Sequence, residues 1–177
     1  MRNKITIAAA MATILTIGGC KTQETAGNMT TAGEAGHTNA LLEKSKNIHG
    51  IESFERLTVN DYREAILEGV EEQKRNVETI AGNKAKPTFQ NTIAALDRSG
   101  EGLSRASGTF GPLSSSNSTP EFRALDKELS PILSAHSDDI YMNDKLFERV
   151  KAVYDDADST LLSKEEMKVT ENIYKRF

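Results

Sequence analysis

From Tyr62 onward, apolar residues recur every three or four positions, the repeat that places side chains on one face of an α-helix. Thr58-Val59-Asn60-Asp61 carries a helix-start signal, with Asp where Glu is the stronger choice. Tyr62, Ile66, Val70, Gln73, Val77 and Ile80 then share one face, and Gln73 is its only polar member. Gly82-Asn83 predicts the end of this helix, with Pro87 soon after. A second helix is expected to open at Thr88, with Phe89, Ile93, Leu96, Leu103, Ala106, Phe110 and Leu113 on its face. Each Gly in a helix interior costs about 1 kcal/mol relative to Ala, and Pro about 3. Gly100, Gly102, Gly108, Gly111 and Pro112 therefore predict a weakening near Gly100 and an end near Gly111. The glycines equally fit a second reading, in which they let another backbone approach closely.

Ser114 to Asn117 reads as a polar loop. Ser118-Thr119-Pro120-Glu121 predicts the next start, with Pro early in the first turn and Glu closing a capping box. Its face is Phe122, Leu125, Leu129, Ile132, His136 and Ile140, with a kink expected at Pro131. Asn143 caps a helix from Asp144 to about Asp158, burying Leu146, Val150, Val153 and Ala157. Ser163-Lys164-Glu165-Glu166 is a full capping box, and Met167, Thr170, Tyr174 and Phe177 continue that face. No stretch alternates with period two as a strand does. The expected fold is all-α, antiparallel helices spanning 48–177. An apolar stripe that reaches the last residue without a stop signal points to a chain cut short mid-fold.

The N-terminus has a different pattern. Met1-Arg2-Asn3-Lys4 is basic, and Ile5 to Ile17 is an uncharged, mostly apolar run. At about 1.5 Å per residue that run cannot cross a bilayer core about 30 Å thick. The layout is that of a secretory signal peptide. Its exit, Ile17-Gly18-Gly19-Cys20, resembles the lipobox of bacterial lipoproteins, which implies lipidation at Cys20 and removal of residues 1–19. The competing reading is an ordinary signal peptide with a chance Cys, but the chain has a single Cys and it falls where a lipobox needs it. Lys21 in place of Asp favours the outer membrane, so the expected location is the cell envelope, with the membrane as a partner through a lipid anchor. Residues 20–47 contain small polar side chains and no aromatic ring, and are read as a flexible tether in which His37 is solvated.

Composition adds mainly exclusions. With 22 Lys+Arg against 26 Asp+Glu the net charge is -4, and cleavage of Arg2 and Lys4 would make the chain more acidic still. That gives no basic face for nucleic acid. The three histidines, His37, His49 and His136, cannot form the i, i+4 pair of a helical zinc site. There is no Gly-x-Ser-x-Gly elbow and no phosphate-cradling glycine loop after a strand. Asp155-Asp156-Ala157-Asp158 lacks the Gly and distal Glu of a calcium loop and reads as a solvated helix end, like Glu71-Glu72, Asp138-Asp139 and Glu165-Glu166. His136, on an otherwise apolar stripe, is expected to be a hydrogen-bonded structural residue. On its own residues the chain offers no catalytic, cofactor or metal site.

Three stretches carry a resemblance. Pro87-Thr88-Phe89-Gln90-Asn91-Thr92-Ile93-Ala94-Ala95-Leu96-Asp97 resembles a segment of the thimet oligopeptidase and bacterial peptidyl-dipeptidase family, with Gln90 where Glu is usual. Leu129 to Tyr141, followed by Asn143, Lys145-Leu146-Phe147 and Arg149-Val150-Lys151, is similar to the next helices of the peptidyl-dipeptidase branch. Asp61-Tyr62, Ala65 and Glu68-Gly69 resemble its opening helix. The resemblance implies an all-α zinc metallopeptidase that releases C-terminal dipeptides from short peptides. Its zinc ligands and general base lie in a His-Glu-x-x-His helix that has no counterpart here. The implied role is one wall of the substrate channel, inert without a catalytic part, with short peptides and that missing part as partners. The alternatives are a stand-alone tethered helical lipoprotein that binds peptides or a partner protein and, with less in its favour, an intact enzyme using acidic clusters for metal.

Overall fold

The computed structural model describes residues 37–46, 56–116, 118–157 and 162–177. Cys20, the expected signal peptide, the tether up to Gly36, and His49 lie outside them. Among the described residues every regular element is helical, as the spacing predicts. A 3₁₀ turn, Ala40–Leu42, precedes α1 (Val59–Ala81). A π-helical turn, Phe89–Ile93, runs into the short α2 (Ala94–Ser99). Then come α3 (Glu101–Ser116), α4 (Pro120–Tyr141), α5 (Asp144–Asp155) and α6 (Lys164–Tyr174).

The starts are set by side chains that satisfy orphan backbone N–H groups. At α1, Thr58 accepts from the Asp61 N–H, and the Asp61 carboxylate accepts from the Thr58 N–H, so Asp completes the box. Asn143 caps α5, and Ser163 with Glu166 closes the box of α6. The start of α4 differs from expectation. Thr119, not Ser118, is the cap and accepts from the Phe122 N–H, so Glu121 lies one position too early to close a box. Pro120 takes the first helical position, where its missing N–H costs nothing.

The second predicted helix does break at Gly100, which separates α2 from α3. It does not end at Gly111. Instead α3 runs through Gly111, Pro112 and the serines expected to form a loop. Two effects outweigh the local cost. Phe110 is buried and Leu113 packs on the same core, which holds the turns on both sides of Pro112. The second is local: the Ser115 and Ser116 hydroxyls fold back onto the Gly111 and Pro112 carbonyls, at 2.9 and 2.8 Å, so these serines are satisfied inside the helix rather than drawing the chain into a loop. Helix α5 stops at Asp155, yet Ala157 is buried as the pattern requires. In α4 the face is rotated slightly: Ile132 is exposed and Leu133 packs instead, while the helix continues through Pro131.

The core forms two clusters. Leu41, Tyr62, Ile66, Ala106, Phe110, Leu125 and Leu129 belong to one, where the first half of α1 meets α3 and α4. Val77, Ile80, Ile93, Leu96, Ile140, Leu146, Val150 and Val153 belong to the other, where the second half of α1 meets α2, α5 and the end of α4. Helix α1 therefore spans both, and between them the buried polar residue His136 of α4 meets Gln73 of α1.

The helical unit begins at His37 rather than near Ile48. Leu41 is 1% exposed within the first cluster. The His37 Nε2 lies 2.8 Å from the Asp61 Oδ1, and the Asn39 amide donates to the Asp61 carbonyl and to Glu64. His37 is thus hydrogen-bonded to Asp61 rather than merely solvated. Burial raises the pKa of Asp61, but the Thr58 N–H, the His37 ring and the Thr58 hydroxyl together hold it below the ordinary carboxylate value. A stretch poor in apolar residues is ordered here because one leucine and two polar anchors find prepared partners on α1.

Candidate functional site

The segment quoted for its resemblance, Pro87 to Asp97, forms the π-helical turn and α2, and its polar residues converge on one buried cation. Thr88 caps the turn by accepting from the Asn91 N–H, and the Asn91 Oδ1 accepts from the Thr88 N–H. The Asn91 amide also donates to the Lys86 carbonyl at 2.9 Å. Arg149, from α5, reaches into this turn and is only 7% exposed. Its guanidinium donates to the Asn83 carbonyl, to the Ala85 carbonyl at 3.1 Å, to the Asn91 Oδ1 at 3.0 Å and to the Thr92 Oγ1 at 3.1 Å. All four acceptors are neutral. Burial pushes the guanidinium below the ordinary arginine value, although an arginine stays charged at any physiological pH. Two of the acceptors are carbonyls just beyond the C-terminus of α1, an end that favours a cation. The result is a clasp tying α1, the turn and α5 together.

Beside the clasp lies a groove of about 360 Å³, lined by Pro87, Thr88, Phe89, Gln90, Val153, Asp156, Leu162 and Glu166. Its apolar lining comes from Phe89, Val153 and Leu162. Both carboxylates already have partners. Asp156 pairs with Lys86 at 2.8 Å, and Glu166 accepts from the Ser163 N–H. The groove can enclose an apolar group, but it presents no nucleophile with an adjacent base.

The remaining histidine predicted as structural is so. His136 is 3% exposed, and its Nε2 lies 2.9 Å from the Gln73 Oε1. Of the residues predicted as solvated acidic faces, Glu71, Glu72, Asp138, Asp139, Asp155 and Glu165 are exposed, whereas Asp156 and Glu166 are half-buried against the groove. Among the described residues no three His, Cys, Asp or Glu side chains come together as a metal site, so the zinc implied by the resemblance finds no fitting donor set among them. Sequence reasoning quoted Arg149, Asn91 and Thr92 only as parts of a resemblance. The available local signal was Thr88-x-x-Asn91, the spacing of a capping pair, and nothing local announced that Arg149 would join it.

Searched against family models, the chain matches none. It is 36% identical over 140 residues, 79% of its length, to the dipeptidyl carboxypeptidase of Salmonella typhimurium. It is also 36% identical over 124 residues to the dipeptidyl carboxypeptidase of Escherichia coli. This chain resembles one part of a dipeptidyl carboxypeptidase. It spans about a fifth of the length of these relatives, 21% and 18% respectively. The likeness therefore concerns a helical portion of such an enzyme.

Proposed function

We propose that this chain is the N-terminal helical part of a peptidase resembling peptidyl-dipeptidases, contributing a wall of the substrate channel and no catalytic group. The observation that carries this reading is the 36% identity over 140 residues to a dipeptidyl carboxypeptidase. The structure supports it through what the motif residues do. Thr88, Asn91, Thr92 and Arg149 are all engaged in holding helices together, which is work for a scaffold. Hydrolysis would need a metal-bound or otherwise activated water, supplied from a part of the enzyme that the likeness does not cover. The purified chain, assayed with zinc for release of a C-terminal dipeptide from an N-blocked tetrapeptide, is expected to give no turnover above a heat-treated control. Chelator-sensitive release by the chain alone would overturn the scaffold reading.

The reading includes a lipid anchor at Cys20, which places the chain in the cell envelope, at the outer membrane. A single acyl chain holds a protein only marginally, whereas several hold it firmly. Cells producing the chain and fed radiolabelled palmitate are expected to yield a labelled band in the membrane fraction, lost on Cys20→Ser. Equal labelling of that variant, or none in either, would remove the anchor from the proposal.

A further inference from the structure

Between the two core clusters, a chain of hydrogen bonds crosses from α4 through α1 to the break between α2 and α3. Its polarity can be read from one end. The Ser99 hydroxyl donates to the Leu96 carbonyl at 2.7 Å, so its oxygen is left to accept from the Gln73 Nε2 at 3.2 Å. That orients the Gln73 amide and turns its Oε1 toward His136, 2.9 Å away. A carbonyl oxygen only accepts, so the His136 Nε2 must carry the hydrogen. The lone pair therefore resides on Nδ1, which is buried and has no hydrogen-bond partner. A Cβ on Gly100 would stand 2.4 Å from the Gln73 Nε2, so glycine there leaves just the space the amide occupies. The Asn76 amide secures the same corner by donating to the Ser99 carbonyl at 2.9 Å.

We propose that this relay is an acid-sensitive latch between the two halves of the helical unit. At neutral pH the uncharged ring completes the seam. A proton arriving on Nδ1 would create a buried imidazolium whose new N–H faces no acceptor. Leaving a buried charge unpaired is far more costly than exposing it. The charged groups facing the ring are Lys74 and Glu71 of α1 and Asp139 of α4. The α2–α3 break is linked to the ring through the neutral Ser99 and, on α1, Gln73. Burial is the main cause that holds the ring below the ordinary histidine value of 6.5, and Lys74 adds to it; Asp139 and Glu71 oppose both without prevailing.

The sign follows from linkage. A histidine whose folded pKa is lowered leaves stability intact above the unfolded value, and stability falls as pH drops below it. The experiment uses the full chain, with histidine ring NMR and amide-exchange protection followed from pH 7.5 to 4.5. His136 is expected to titrate below 6.5. Protection at Ser99, Leu103 and the α4 residues around His136 should fall by up to about tenfold per pH unit between 6.5 and the pH at which the folded ring titrates, and level off below it. His136→Gln keeps a donor toward Gln73 and cannot titrate, so its protection there should stay flat. An ordinary titration of His136, or an unchanged pH profile in His136→Gln, overturns the latch. If that variant does not fold, the wild-type chain decides alone: seam protection that shows no fall between 6.5 and the pH at which the folded ring titrates overturns it equally.

Discussion

Gly69→Ala is expected to destabilise the helical unit by roughly 2–3 kcal/mol, at the upper end of the cost of overfilling a packed core. Gly69 is buried on α1, where a Cβ would stand 2.7 Å from the Leu103 Cα and 2.8 Å from the Leu103 N. Those are backbone atoms of α3, which cannot rotate away as a side-chain tip can. Relief requires α1 and α3 to part along their contact, loosening Ile66 and Ala106 on either side. Thermal and urea denaturation of the full chain would measure it, with a midpoint lowered by roughly 5–12 °C. Gly108→Ala supplies the control, since nothing lies within 4 Å of the Cβ it would add. That change should stabilise by about 0.5–1 kcal/mol, because alanine loses less backbone freedom than glycine in a helix. If both alanines stabilised, close approach at Gly69 would not be the reason for glycine there.

Arg149→Met should cost about 2–4 kcal/mol by urea denaturation. Replacing a buried ionic group by a well-packed apolar one can be neutral when its partners are replaced too. Here the partners stay. The Thr92 hydroxyl, with Thr92 0% exposed, and the Asn91 Oδ1 would lose a charged donor, each such loss costing about 1–3 kcal/mol. The Asn83 and Ala85 carbonyls belong to exposed residues and can rebind water, so their share is smaller. Arg149→Lys retains the charge but not the fork that engages four acceptors at once, and should fall between wild type and Met. A Met variant within about 0.5 kcal/mol of wild type, the range of an ordinary surface change, would mean that the clasp adds nothing to stability.

These two positions mark where sequence reading stops. Gly69 is one glycine among twelve, and only the meeting of α1 with α3 shows why a side chain is excluded there. The glycines that looked notable in the sequence divide by environment. Gly100 lies against Gln73, while Gly108 and Gly111 face open space. Arg149 sits on an amphipathic helix beside charged neighbours, and its acceptors come from residues 57 to 66 positions earlier in the chain. Nothing within a few residues of it records that burial. Gln73 and His136 each appeared as a lone polar interruption of an apolar stripe, and pairing them needed α1 and α4 side by side.

What the sequence determined by itself was periodic or local. Spacings of three and four defined the helix faces, and Thr58, Asn143 and Ser163 defined starts, because capping and amphipathicity act within one or two turns. The likeness to dipeptidyl carboxypeptidases is likewise carried by the order of residues alone. What only the tertiary structure decided was the outcome of competing contributions. Packing of Phe110 and Leu113 carried α3 through Pro112, Leu41 and the Asp61 anchors ordered a stretch with a tether's composition, and the cap of α4 moved to Thr119. In each case a local preference of about 1–3 kcal/mol met contacts between residues distant in sequence. Such contacts exist only once the helices have docked.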